Sequence, residues 1–187
     1  MNKALFFLLF AAAVLPVVGQ STLSGSELGE KWTTYTAPDL AFELQAPGLL
    51  TEKTDTVSTP VGALVYRTAF LQHERPDADN LFYMVSYCDY PEGGIHADST
   101  DILPEFFQAT IESATLAVQG ELIYSDPLNM DRYPGWQWRI DYLQGQVAIK
   151  TRAFVIGNRY YALQTIMYKN KSLNRSTQRF FQSFRLL

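Results

Sequence analysis

WQWRIDYLQGQVAIKTRAFVIGNRYYALQTIMY, residues 136–168, decides the fold. It divides into three strands joined by two tight connections. Gly157-Asn158 lies between Phe154-Val155-Ile156 and Tyr160-Tyr161-Ala162. Glycine takes positive φ without a Cβ clash, so a two-residue Gly-Asn connection suits a primed hairpin turn. Gly145, between Gln144 and Gln146, makes the other turn. Trp136, Trp138, Ile140 and Tyr142 alternate with Gln137, Arg139 and Asp141. That period of two puts the aromatic residues on one face and the polar ones on the other. After Gly145 the alternation weakens: Phe154 and Ile156 share one face, Ala153 and Val155 the opposite one. Strands that are apolar on both sides are covered on both sides. Helices or a long loop should therefore lie over part of each face.

Working outward, Trp32–Thr36 is a short strand. Leu40–Ala46 is a half-buried one in which Leu40, Phe42 and Leu44 alternate with Ala41, Glu43 and Gln45, stopped by Pro47-Gly48. Thr51–Thr59 is polar and suits a sheet edge. Ala63–Leu71 and Leu81–Asp89 are strands separated by a solvated turn, His73–Asn80. Tyr90-Pro91-Glu92-Gly93-Gly94 breaks the chain. Asp98-Ser99-Thr100-Asp101 then offers N-caps for a helix whose start Pro104 places near Asp101. Ile102, Phe106, Ala109, Ser113 and Ala117 recur at helical steps, giving an apolar stripe that suits packing on a sheet. Gly120 stops the helix. Glu121–Ser125 is a short strand, and Asp126–Gly135 a loop into the meander. Asn170-Lys171-Ser172 turns the chain into a second helix running to about Gln182 and burying Phe180. This helix packs beside the first or on the opposite face. Antiparallel strands with few, segregated helices predict an α+β fold, with helices packed on the faces of an antiparallel sheet.

The chain has 187 residues, which suits one folded domain with a sizeable core. A hydrophobic content of 47% and a charged content of 18% fit a globular protein. The net charge of −4 gives no basis for nucleic acid as a partner. Residues 1–19 have the build of a secretory signal peptide: Lys3, an unbroken apolar run from Ala4 to Leu15, then Pro16 and a Val17-x-Gly19 cut site. The run is shorter than the roughly 20 residues of a membrane span. Residues 20–30 form a Ser- and Gly-rich leader, and 31–187 one α+β domain. Cleavage after Gly19 leaves fourteen bases against nineteen acids, a charge of −5. The expected location is periplasmic or extracellular, with no stable membrane span after cleavage. One cysteine, Cys88, cannot close an internal disulfide, and its strand setting marks a small buried hydrophobe.

Three segments carry a family likeness. They are Leu40-Ala41-Phe42-Glu43-Leu44-Gln45-Ala46-Pro47; Tyr133-Pro134-Gly135-Trp136; and Arg159-Tyr160-Tyr161-Ala162-Leu163 with Phe181-Gln182-Ser183-Phe184-Arg185-Leu186. In these the chain resembles the PsbP-like family, whose founder is an extrinsic photosystem II subunit and whose fold is shared with a small Ran-binding nuclear import factor. The resemblance implies an α/β/α sandwich around an antiparallel sheet and a non-catalytic accessory or adaptor role. No position matches a metal ligand or a partner-binding residue of the family, so none is carried over.

The chain has no G-x-S-x-G elbow, phosphate-cradling glycine loop or dinucleotide fingerprint. The sharpest candidate for a site is the loop from Asp89 to Asp101. There Asp89, Glu92, His96 and Asp98 cluster between a core strand and a helix. Carboxylates with one imidazole suit a hard or borderline divalent cation, although the spacing matches no established ligand motif. The competing reading makes Asp98 or Asp101 a helix cap and the rest solvated turn charges. A hydrolase built on this loop, using a metal or Cys88, is the alternative function. Against the thiol version, the acids around Cys88 disfavour a thiolate. Trp136 and Trp138 suit a core better than an exposed stacking platform. Asn170 and Asn174 both begin glycosylation acceptor triplets. The expectation is an accessory protein without catalysis or cofactor, whose partner is another protein or a small ligand.

Overall fold

The computed structural model describes residues 31–187 apart from Pro60 and Pro76. The expected signal peptide and leader lie outside the described residues. In chain order the elements are β1 (Thr33–Thr36), β2 (Phe42–Ala46), β3 (Thr51–Thr59), β4 (Gly62–Gln72), β5 (Phe82–Asp89), α1 (Leu103–Ala117), β6 (Glu121–Met130), β7 (Tyr133–Tyr142), β8 (Val147–Ile156), β9 (Arg159–Tyr168), α2 (Arg175–Gln182) and β10 (Arg185–Leu186). Seven strands form one antiparallel sheet in the order β3-β4-β5-β9-β8-β7-β6; β1, β2 and β10 form a second, small sheet. The chain enters the large sheet at one edge and reaches its middle at β5. It then crosses a face as α1 and returns from the far edge as a continuous meander. The meander ends when β9 pairs with β5, from Phe82 opposite Ile166 to Asp89 opposite Arg159.

Each face of the sheet is covered, as the two-sided apolar strands require. On one face, Leu103, Phe106, Phe107 and Ile111 of α1 pack on Trp138, Ile140, Val155 and Tyr160. Trp138 is buried, and Trp136 stacks on Phe107 with ring centroids 5.0 Å apart, so both tryptophans are core and not a platform. On the other face lie α2 and the small sheet. Phe42, Leu44, Phe180 and Phe184 meet Tyr83, Tyr87, Phe154 and Tyr161 there. Phe42 sits at the centre, 5.3 Å from Tyr87, 5.6 Å from Tyr161 and 5.2 Å from Phe184. Burying such a ring contributes about 3 kcal/mol. The α+β sandwich is as expected, with α2 opposite α1 and sharing its layer with the small sheet.

Several local expectations are corrected. Neither Asp98 nor Asp101 caps α1: Ile102 holds the N-cap position and no side chain bonds there. A tight turn precedes the helix, and Ile102 N–H and Leu103 N–H both donate to Ser99 O, so the backbone meets donors a cap would otherwise serve. Pro104, which has no N–H, removes a further need. At the other end it is Gln119, at φ 50°, that takes the left-handed conformation. Gly120 N–H reaches Thr115 O at 3.0 Å. Gly120 is required for another reason: a Cβ there would meet Ile140 Cγ2 at 2.5 Å and Asp141 O at 2.8 Å. The segment expected as a loop, Asp126–Gly135, is instead the turn end of the β6–β7 hairpin, turning at Asp131 (φ 55°). Its prolines hid it; β6 is an edge strand, where proline costs the ladder little, and Pro134 is the second residue of β7. Leu40 is not a buried strand residue but an exposed turn residue at φ 56°.

Candidate functional site

The loop after β5 is rigidly hung on the Gly157-Asn158 turn. Tyr90 N–H donates to Asn158 O at 2.9 Å, Ala97 N–H to Gly157 O at 2.7 Å, and Asn158 Nδ2 to Tyr90 O at 2.6 Å. Ile95 is buried beneath it. The loop's candidate residues point to different partners. Asp89 is engaged by Arg159, whose Nε and Nη2 donate to its two oxygens at 2.6 and 2.9 Å, while Nη1 of the same guanidinium reaches Asp39. His96 Nδ1 accepts from Asp98 N–H at 3.2 Å and lies 3.4 Å from Asp98 Oδ2, and the Asp98 side chain is 94% exposed. Glu92 and His96 line a shallow groove with Ser99 and Asn158. Among the described residues no three His, Cys, Asp or Glu side chains converge where they could hold a metal ion. Both oxygens of Asp89 are taken up by its arginine.

Cys88, the last buried residue of β5, is fully enclosed. Burial pushes its thiol up to about 12, outweighing the lowering from a hydrogen bond with Tyr66. A thiol held neutral and out of solvent cannot serve as a nucleophile at neutral pH. Among the described residues the geometry thus offers the hydrolase alternative a buried Cys88 and no converged metal donor set.

A second feature was not anticipated. Between α1 and the β3–β4 hairpin, the large sheet opens into a cleft of about 440 Å³, within the size range of small-ligand sites. Small residues make its depth. Thr68, Ser86 and Ala162 stand opposite one another on β4, β5 and β9, between rows of larger side chains. Phe70, Phe82 and Met84 form an apolar end; Gln164, Thr151 and Trp138 lie toward α1. Gln164 Nε2 donates to Thr151 Oγ1 at 3.2 Å, and both residues are buried. Lys53 and Asp55, paired at 3.0 Å, stand on β3 at the cleft's edge strand. The sequence did carry a signal for this site: Gln164 and Thr151 interrupt two of the more apolar strands of the chain, where a purely structural core would hold aliphatic residues.

No helix among the described residues is long and apolar enough to cross a membrane. No family model matches the sequence, and no curated protein matches it. Among solved structures the chain is similar to the solution structure of cyanobacterial PsbP (CyanoP) from Synechocystis sp. PCC 6803. The two are 13% identical, with a TM-score of 0.56 over 91% of this chain and 99% of that one. The short motifs at Phe42, Tyr133 and Arg159 thus pointed to the right architecture, and the chain has a PsbP-like fold.

Proposed function

We propose that this chain is an exported accessory protein that acts by binding another protein and performs no chemistry of its own. The observation that carries this reading is the state of its most reactive groups. Cys88 is sealed in the core, and Asp89, the candidate ligand nearest to it, is locked to Arg159. A PsbP-like fold fits such a role. Export rests on Lys3, the Ala4–Leu15 run and the Val17-x-Gly19 cut site. The surface assigned to the partner is the Asp89–Asp101 loop. There Glu92, His96 and Asp98 are exposed on a backbone that the Gly157-Asn158 turn holds in place. A preformed loop loses little conformational entropy on binding.

The test is a pull-down from the native envelope or culture medium, using the wild-type chain beside a Glu92→Ala/His96→Ala/Asp98→Ala variant. A partner held by the first and lost by the second supports the reading. Calorimetric titration with zinc, calcium and manganese is run in parallel. Micromolar or tighter metal binding that the triple change removes would overturn it.

A further inference from the structure

Residues 142–187 carry eight bases and no acid, in a chain whose net charge is −4. Such segregation of charge within one chain points to a surface of one sign. Arg159, Lys169 and Arg185 meet carboxylates from earlier in the chain: Asp39 and Asp89, Asp141, and Glu43 respectively. Lys150 and Arg152 of β8 do not. Lys150 Nζ donates to the carbonyl oxygen of Ser172, and the Arg152 guanidinium lies over the Phe181 ring, 5.2 Å from its centroid. Among the described residues neither makes an ion pair.

Alternation along β8 turns Ala153 and Val155 toward α1 and leaves Lys150 and Arg152 on the other face, beside α2. The register sets Arg139 of β7 directly opposite Lys150, and Tyr124 of the edge strand β6 opposite Arg139. Directly opposite residues share a face, so Tyr124, Arg139 and Lys150 form one row. Like charges in such a row repel. Asp141, the only buried carboxylate among the described residues, already serves both Arg139 and Lys169. Burial, with the positive charges of Arg139 and Arg152, holds the Lys150 ammonium below the usual lysine value. Burial acts in the same direction on Arg152. Cations drawn partly out of water without a counter-charge are a cost that an outside anion removes.

We infer that this face binds an extended acidic segment of a partner protein, whose carboxylates on alternate residues meet Lys150 and Arg152. The two bases stand two residues apart on one strand, so their Cα atoms are roughly 6.8 Å apart. An extended chain repeats its same-side residues at that spacing. Each carboxylate meets its own cation, and none has to reach both. Exposed Tyr124 and half-buried Phe181 add aromatic contact, a composition with Arg that protein-binding sites favour. The acidic remainder of the surface turns such a segment away elsewhere and steers it here. A planar anionic membrane fits less well, because it would press Glu121 and Asp126, on the same face of β6, against its own charge. The Asp89–Asp101 loop lies on the α1 side, through Tyr90 and Ile95, so this surface is separate from it and does not depend on it.

The test measures the anisotropy of a fluorescein-labelled Gly-Glu-Ala-Glu-Ala-Glu-Ala amide with the whole exported chain, at about 20 mM salt. The same peptide with Gln for every Glu is the control. The acidic peptide should bind at least about tenfold more tightly, and the difference should shrink at about 0.5 M salt. Lys150→Gln/Arg152→Gln should weaken its binding by about tenfold or more. Lys53→Gln/Arg75→Gln, the same charge change on exposed bases elsewhere, should weaken it by less than about threefold. In the ¹⁵N-labelled wild type, the peptide should shift the amides of Tyr124, Arg139, Lys150 and Arg152, and leave those of Glu92 and His96 unmoved. That map decides the matter alone if a melt shows the Lys150→Gln/Arg152→Gln chain to be unfolded. Equal binding of the Gln peptide, equal losses in the two double variants, or shifts confined to other faces would each overturn the inference. So would sedimentation with phosphatidylglycerol vesicles that Lys150→Gln/Arg152→Gln abolishes, which would give this face to a membrane. The pull-down with the loop variant reads the other surface, so the failure of either leaves the other standing.

Discussion

Asn174 Nδ2 donates to Asn80 Oδ1 at 3.0 Å, joining residues 94 positions apart. The same side chain caps α2, its Oδ1 accepting from Thr177 N–H at 2.7 Å, and its Nδ2 also reaches Lys171 O at 2.9 Å. Asn80 is fully buried and accepts a second bond from Thr177 Oγ1 at 2.9 Å. One asparagine thus both starts the last helix and fastens it to the turn before β5.

Asn174→Ala is therefore expected to cost about 2 kcal/mol, a lost cap plus a lost hydrogen bond to the buried Asn80. Asn174→Asp keeps the cap acceptor and should fall between the two. Denaturant melts of the three proteins check this. In a glycosylating host, a glycan on exposed Asn170 should leave the melting temperature unchanged, whereas one on Asn174 should lower it. Mass spectrometry beside the melts reads both.

Asp141 is 3% exposed and is bound by Arg139 Nε at 2.6 Å and Lys169 Nζ at 3.2 Å. Burial alone would raise its carboxyl, but the hydrogen bonds from Arg139 and Lys169 hold it below the usual value. A carboxyl lowered on folding stabilises the folded chain fully above its unfolded value, near pH 4. That contribution is lost as the pH falls through the lower folded value. Asp141→Asn should be less stable than wild type by roughly 2–3 kcal/mol at pH 7, and the gap should close on acidification. A constant gap from pH 7 to pH 2 in urea melts would refute this account.

Cys88 should react with a maleimide only after unfolding. Raising the thiol from 9.0 to about 12 cuts its thiolate at neutral pH about a thousandfold, before the steric shield of the core is counted. Labelling of the native protein within minutes at pH 7 would contradict both its burial and the non-catalytic reading.

In the loop after β5, Glu92→Ala with His96→Ala should change stability by less than ~0.5 kcal/mol, as exposed substitutions usually do. Asp101→Ala should be equally mild, since the N-cap position of α1 belongs to Ile102 without a side-chain bond. Asn158→Ala should cost about 1 kcal/mol through the lost bond to Tyr90 O. It should also speed hydrogen exchange at Tyr90 and Ala97, the amides bonded to that turn. Melts and amide exchange on the three variants separate these outcomes.

The meander was legible in the sequence because alternation and Gly157 (φ 59°) are local signals that the structure keeps. β6 was not legible. Its pairing is supplied by β7, and its exposed side chains carry no hydrophobic period to read. The start of α1 was misplaced because four polar residues before a helix look like caps, while the backbone turn at Ser99 does the work. For the site, clustering in sequence overstated clustering in space: Asp89 and Glu92 are three residues apart, yet Arg159 on another strand claims one of them. The cleft stayed hidden for the opposite reason. Trp138, Thr151, Gln164 and Met84 come from four strands, and only the register of three ladders places them side by side.

The pairing of β5 with β9 also bears on how the chain reaches this state. β3–β5 and β6–β9 are each runs of neighbouring hairpins that can form from local contacts, whereas their junction closes a loop of some seventy residues between Asp89 and Arg159. Until it closes, two of the most apolar strands present open backbone edges, and a second molecule in the same state offers matching ones. The finished sheet shows nothing of this hazard. Its outer strands are the Thr- and Ser-rich β3 and the proline-bearing, bulged β6, both poor templates for addition. Aggregation of this protein should therefore depend on how long newly made chains wait at the junction, and dilution should suppress it more than stabilising the native fold would.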